Sequence, residues 1–83
     1  MDVPLRLREL RLCVAPFKYR EVRREGNVRK FENGTFAFTV TAKNENSEIP
    51  PGMIRTIRKK GAMSPTRGMV SDEVFYRPAK QKP

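Results

Sequence analysis

Residues 28–42 constrain the fold more than any other stretch of this chain. Asn33-Gly34 lies between two β-prone runs, and Asn-Gly is the dipeptide that most readily takes the positive φ angles of a tight type I′ hairpin. Beyond it, Phe36, Phe38, Val40 and Ala42 alternate with Thr35, Ala37, Thr39 and Thr41, the period of a half-buried strand. A two-residue loop sets the expected register, with Phe31 opposite Phe36 and Arg29 opposite Phe38. One face of the hairpin then carries three phenylalanines and Arg29, and the other carries Lys30, Thr35, Thr39 and Thr41. The aromatic face is either the hydrophobic core or a platform on which single-stranded bases stack. With 37% hydrophobic and 33% charged residues in 83, and roughly 60–65% of the unfolded surface buried in a domain this small, three phenylalanines are needed inside. The core reading is preferred, and the polar face is the one expected to meet solvent.

The flanking segments read less sharply. Leu5, Leu7, Leu10, Leu12 and Val14 alternate with polar residues, with one slip at Arg8-Glu9. A strand bulged there puts all five on one face, whereas a helix groups only Leu7, Leu10 and Val14. The bulged strand, bounded by Pro4 and Pro16, is the preferred reading. A strand ending at the turn Glu25-Gly26-Asn27 makes a three-strand meander over about 17–24, 28–32 and 35–42, and a third strand makes a hairpin viable. Residues 43–48 are polar loop, followed by the stiff Ile49-Pro50-Pro51-Gly52. Residues 53–60 read as a short helix, with a strand as the alternative. Met53, Ile54 and Ile57 share a face, Pro51 suits the first turn, and Gly61 suits the stop. Residues 62–71 are loop, and 72–77 are expected as a last strand. The expected fold is α+β, mostly β: a small antiparallel sheet, or a partly open barrel of OB or SH3-like size, with one short helix. Residues 1–77 form a single small basic domain, and 78–83 a basic flexible tail.

Charge gives the functional expectation. Eighteen basic residues against nine acidic ones leave a formal charge of +9, a balance that implies an anionic partner, nucleic acid first. The cations fall in three groups: Lys18, Arg20, Arg23, Arg24, Arg29 and Lys30 on the meander; Arg55, Arg58, Lys59, Lys60 and Arg67; and Arg77, Lys80 and Lys82 in the tail. Phosphate contacts are additive and sequence-independent, so separate groups can follow one backbone. The candidate nucleic-acid-binding residues are Arg20, Arg23, Arg24, Arg29, Lys30, Arg55, Arg58, Lys59 and Lys60, with base stacking by Tyr19 or Phe75 as a further option. DNA and RNA are not distinguished. The alternative is a small accessory or inhibitor protein docking on an acidic protein surface, within a larger complex or through an exposed strand edge, which would also permit a dimer. A component of a large ribonucleoprotein is a third reading.

Other classes find little footing. There is no histidine, so the usual neutral-pH base is missing. Cys13 stands alone in an apolar run, and no zinc-finger set or phosphate-cradling glycine loop is present. No enzyme activity, metal or cofactor is expected. The lone cysteine suits a reducing compartment. No apolar run reaches the length of a membrane span, and Arg6, Arg8, Glu9 and Arg11 interrupt the leucines as no signal peptide would. The expected location is intracellular, cytoplasmic or nucleoid/nuclear, not secreted, with no membrane partner. Ser64-Pro65-Thr66-Arg67 also matches a proline-directed phosphorylation pattern.

Overall fold

The computed structural model describes residues 1–80. In chain order it contains β1 (Leu5–Arg6), α1 (Leu7–Val14), a 3-10 turn (Ala15–Phe17), β2 (Arg20–Glu25), β3 (Val28–Glu32), β4 (Ala37–Thr41), β5 (Glu48–Ile49), α2 (Pro51–Lys60) and α3 (Asp72–Lys80). Strands β2, β3 and β4 form an antiparallel sheet in that order, and β1 pairs with β5 in a second, two-stranded sheet. The architecture is a small α+β fold, with no closed barrel among the described residues. One core joins Phe31, Phe38 and Val40 from the sheet, Leu7, Leu10 and Val14 from α1, Ile54 and Ile57 from α2, and Phe75 and Tyr76 from α3.

The meander forms as its alternation requires. Phe38, Val40 and Ala42 are buried, while Ala37, Thr39 and Thr41 are exposed. The hairpin register differs from the expected one: Phe31 pairs with Phe38 and Arg29 with Val40. The loop spans four residues because Asn33 closes it with its own side chain. Its Oδ1 accepts from the Thr35 and Phe36 amides at 3.0 and 2.8 Å, and the Asn33 amide donates to the Phe36 carbonyl at 3.1 Å. The loop is therefore built as an Asx turn, with Gly34 at φ +91°. A slip of two residues preserves the pleat parity, so every side chain stays on its expected face. Phe31 stacks on Phe38 with ring centroids 5.2 Å apart, and Tyr19 tilts against Phe38 at 5.1 Å. The aromatic face is core.

Two elements expected as strands are helices. Residues 7–14 form α1, with Leu7, Leu10, Cys13 and Val14 buried and Leu12 half exposed. The Arg8-Glu9 slip is the first helical turn, where Glu9 Oε1 accepts from the Arg6 amide at 2.8 Å. The free amides of Leu7 and Arg8 donate to the Ser47 and Glu45 carbonyls at 3.0 and 3.1 Å, so the 43–48 loop satisfies donors that a helix start leaves open. Only β1, two residues long, remains of the strand.

Residues 72–80 form α3, which packs against α1. Ser71 begins it: its hydroxyl accepts from the Val74 amide at 3.2 Å and its carbonyl from the Phe75 amide at 2.9 Å. Asp72 and Glu73 in the first turn and Arg77 and Lys80 in the last match the helix dipole. The helix runs through Pro78, so 78–80 of the expected tail are helical; residues 81–83 lie outside the described residues.

The chain between α2 and α3 is tightly wound. Tyr19 Oη donates to the Gly61 carbonyl at 2.8 Å, and a Cβ on Gly61 would stand 2.6 Å from that oxygen. Ala62 and Met69 take left-handed φ values of +55°. Gly68, at φ +92°, lies so close to Ala62 that a Cβ would fall 1.8 Å from the Ala62 carbonyl oxygen.

Candidate nucleic-acid interface

Two of the nine candidate cations are internal. Arg58 is 1% exposed. It belongs to the buried stripe Ile54, Ile57, Arg58 of α2, the i, i+3, i+4 face that a helix turns to the core. Its guanidinium uses all three nitrogens. Nε donates to the Met63 carbonyl at 2.8 Å, Nη2 to the Val70 carbonyl at 3.0 Å, and Nη1 to Asp2 and Asp72 at 2.8 and 2.5 Å. Its central carbon lies 4.6 Å from the Phe75 ring centroid and 5.6 Å from that of Tyr76, both within cation–π range. Tyr76 Oη donates to Asp2 at 2.9 Å and accepts from the Val3 amide at 3.1 Å. Arg58 thus ties the N-terminal segment, α2, the 62–70 loop and α3 to one point. The Met1 ammonium and the Arg58 guanidinium hold the Asp72 carboxyl below its ordinary range, and burial pushes the Tyr76 phenol up to about 12.

Arg29 is 5% exposed. It lies on the core face of β3 between Phe31 and the β2–β3 turn. Nε donates to the Ala42 carbonyl at 3.0 Å, Nη2 to the Lys43 carbonyl at 3.3 Å, and Nη1 to Glu21 at 3.3 Å. Arg11 completes this second network. It grips Glu45 with Nε and Nη2 at 2.8 and 2.9 Å and Glu21 at 2.7 Å, with its guanidinium 5.5 Å from the Phe31 centroid. Burial works against the Glu21 carboxylate, but the bonds from Arg11 and Arg29 outweigh it and hold its carboxyl low. The Arg11 bond does the same for Glu45. Arg29 and Arg58 therefore leave the set of residues a phosphate can reach; each is a structural cross-link.

The seven remaining candidates are exposed, and all but Arg24 fall on two surfaces. On the outer face of the sheet, Arg23 of β2 pairs with Lys30 of β3, and Lys30 with Thr39 of β4. This row lines a shallow hollow of about 190 Å³ together with Glu25 and Val28. Arg20 stands opposite Glu32 in the next row. Acids temper this face, since Glu25 bonds Arg23 at 2.9 Å. Arg24 pairs with Arg29 and so leaves the edge strand on the opposite face, its Nε donating to the Gly26 carbonyl at 2.9 Å.

The second surface is α2. Arg55 and Lys59, one turn apart, line a groove of about 480 Å³ whose other walls are Pro51, Gly52, Ser64, Pro65, Thr66 and the Arg58–Asp2–Asp72 node with Met1. Lys60 follows at the helix end. Among the described residues, Arg55, Lys59 and Lys60 make no ion pair and no side-chain hydrogen bond. The groove and the hollow share no lining residue.

The unpaired cations Arg55, Lys59 and Lys60 face outward. Asp2, Glu21, Glu25, Glu45, Asp72 and Glu73, six of the nine acids, are held in ion pairs. The aromatic side chains go the other way. Tyr19 and Phe75, the two expected to offer stacking, are 5% and 0% exposed. Ser64, the proline-directed serine, is buried with its hydroxyl bonded to the Arg67 backbone, and Thr66 at the loop tip is exposed. Cys13 is fully buried, and burial raises its thiol to about 11.

The hairpin pattern already placed Thr39 beside Lys30 on the polar face, but no local pattern sets residues 64–66 beside the α2 cations, because only tertiary contact makes them a wall of the groove. Among the described residues, no three His, Cys, Asp or Glu side chains cluster as a metal set, and no helix is long and apolar enough to cross a membrane. Comparison of the chain with protein-family models, curated proteins and solved structures found no match.

Proposed function

We propose that this chain is a non-catalytic nucleic-acid-binding protein that grips the phosphate backbone with Arg55, Lys59 and Lys60 of α2. Arg20, Arg23 and Lys30 form a second, weaker contact surface on the outer face of the sheet, and Arg24 stands apart on the opposite face. The support comes from α2, where three exposed cations on a rigid element have no carboxylate partner among the described residues, while most of the acids are tied elsewhere. Such a surface attracts polyanions by releasing their condensed counterions. Three phosphate contacts give a slope of about −3 in log affinity against log salt.

A fluorescence anisotropy titration at about 0.05 and 0.2 M salt tests this, with an expected loss of roughly 40-fold in affinity between the two. The double variant Arg55→Ala/Lys59→Ala should reduce the slope by about two with little change in stability. Absence of binding, or binding indifferent to salt, overturns the proposal. Protein partners that survive nuclease treatment in a pull-down would move the reading to an acidic protein surface.

A further inference from the structure

We infer that the partner is double-stranded and is read through its backbone. This rests on the nucleic-acid reading above and names the form of the ligand. The observation is where the aromatic side chains sit. Proteins that prefer single strands pair a basic groove with exposed aromatic rings, and each stacked base contributes about fivefold or more in affinity. This chain has seven aromatic residues, and all are described. Tyr19, Phe31, Phe38, Phe75 and Tyr76 are buried. Phe17 and Phe36 are half-buried and packed against the same core, and Arg67 stands over the Phe36 ring at 5.7 Å. The outer face of the sheet, where a stacking platform would lie, presents Lys30, Thr39 and Thr41 instead.

What α2 offers beside the groove is charge without an aromatic ring. Arg55 and Lys59 project one turn apart from a ten-residue helix anchored by Ile54, Ile57 and Arg58. Their attachment points on the helix are fixed, as phosphates are along a duplex; a flexible strand must first be ordered. The duplex also has the denser charge. Each contact contributes about 0.9 to its salt exponent, against about 0.7 for a single strand. For three contacts, with equal affinity at 1 M salt, that difference alone favours the duplex by roughly 4-fold at about 0.1 M. No stacking term opposes it. The same chemistry is offered by duplex DNA and duplex RNA.

The test is a competition anisotropy experiment on the full chain. The competitors are a DNA duplex of about 20 bp, an RNA duplex of the same length, and an unstructured homopyrimidine strand of that length, all spanning about two helical turns. The expected result is that at least one duplex competes 4-fold or more better than the single strand at about 0.1 M salt, with the steeper salt slope; the stronger duplex identifies the nucleic acid. A single strand that competes as well as or better than both duplexes overturns this inference while leaving nucleic-acid binding intact. If none of the three competes, the proposed function itself fails.

Discussion

Replacing Arg58 by alanine should destabilise the protein without weakening the basic surface beside it. The side chain satisfies four acceptors. Without it, the Met63 and Val70 carbonyls lose their donor, and each buried carbonyl left unpaired costs about 1–3 kcal/mol. Asp2, 16% exposed at its side chain, keeps only Tyr76; Asp72, 37% exposed, is screened by water and contributes less. Relief from burying the guanidinium offsets part of this, and removal of one partner from a buried pair typically costs about 3–5 kcal/mol net.

For a chain of 83 residues, total stability is roughly 4–12 kcal/mol, so the loss is about a quarter of it or more. At roughly 4–8 °C per kcal/mol for this size, the melting temperature should fall by about 12–40 °C in thermal circular dichroism. Arg58→Met, which keeps most of the volume, separates packing from polarity. It should remain clearly less stable than the parent, and adding Asp2→Asn and Asp72→Asn should recover about 1–2 kcal/mol, because the stranded carboxylates are then neutral. Folded Arg58→Met should bind oligonucleotides within about threefold of the parent, as expected of a substitution that leaves the exposed phosphate-contacting cations in place. An Arg58→Met protein as stable as the parent, or a triple variant no better than the single one, would refute the reasoning.

Phe38→Ala should cost about 3–5 kcal/mol in urea denaturation, and Phe36→Ala distinctly less, because Phe38 is 3% exposed between Phe31 and Tyr19 whereas Phe36 is half-buried at the loop; equal costs would contradict the observed register. Gly68→Ala should destabilise by more than about 2 kcal/mol, since the added Cβ meets the Ala62 backbone at a left-handed φ; a neutral effect would mean the 62–68 contact is not made in solution. Stability should form a plateau bounded on both sides. Glu21, Glu45 and Asp72 titrate lower in the folded state, so their contribution is complete above the unfolded value near 4 and is lost as pH falls through the folded one. Cys13 titrates higher, about 11 against 9.0, so its contribution is complete below 9.0 and is lost as pH rises toward 11. Urea midpoints that rise below pH 4, or from pH 9 to 11, would contradict the two networks or the buried thiol.

Much of this was present in local pattern. The period-2 alternation of residues 35–42 set the buried and exposed faces correctly even though the turn was read two residues too short, because parity survives a slip of two. The position of Arg29 was legible too: a residue on the face of Phe31 must be buried once that face is core. So was that of Arg58, which follows Ile54 and Ile57 at helical spacing. Both were counted among phosphate ligands because charge was weighed ahead of face. In α1 the leucine spacing suited two periods, and the helix prevailed although it leaves Leu12 half exposed, because Glu9 caps its own start and two of its first amides donate to a loop nearly forty residues away. In α3 the Ser71-Asp72-Glu73 start was a local signal, obscured by Pro78.

The chain alone therefore determined the meander, the core face of its aromatic strands and the excess of positive charge, since these depend on period and composition. Only the tertiary structure decided which cations face solvent. Whether an arginine is a ligand or a cross-link depends on carboxylates and carbonyls that may lie far away in sequence, as Asp2 lies 56 residues from Arg58 and Glu45 lies 34 from Arg11. No local pattern carries that information, because the energy of a buried charge is set by the partners that the fold brings to it.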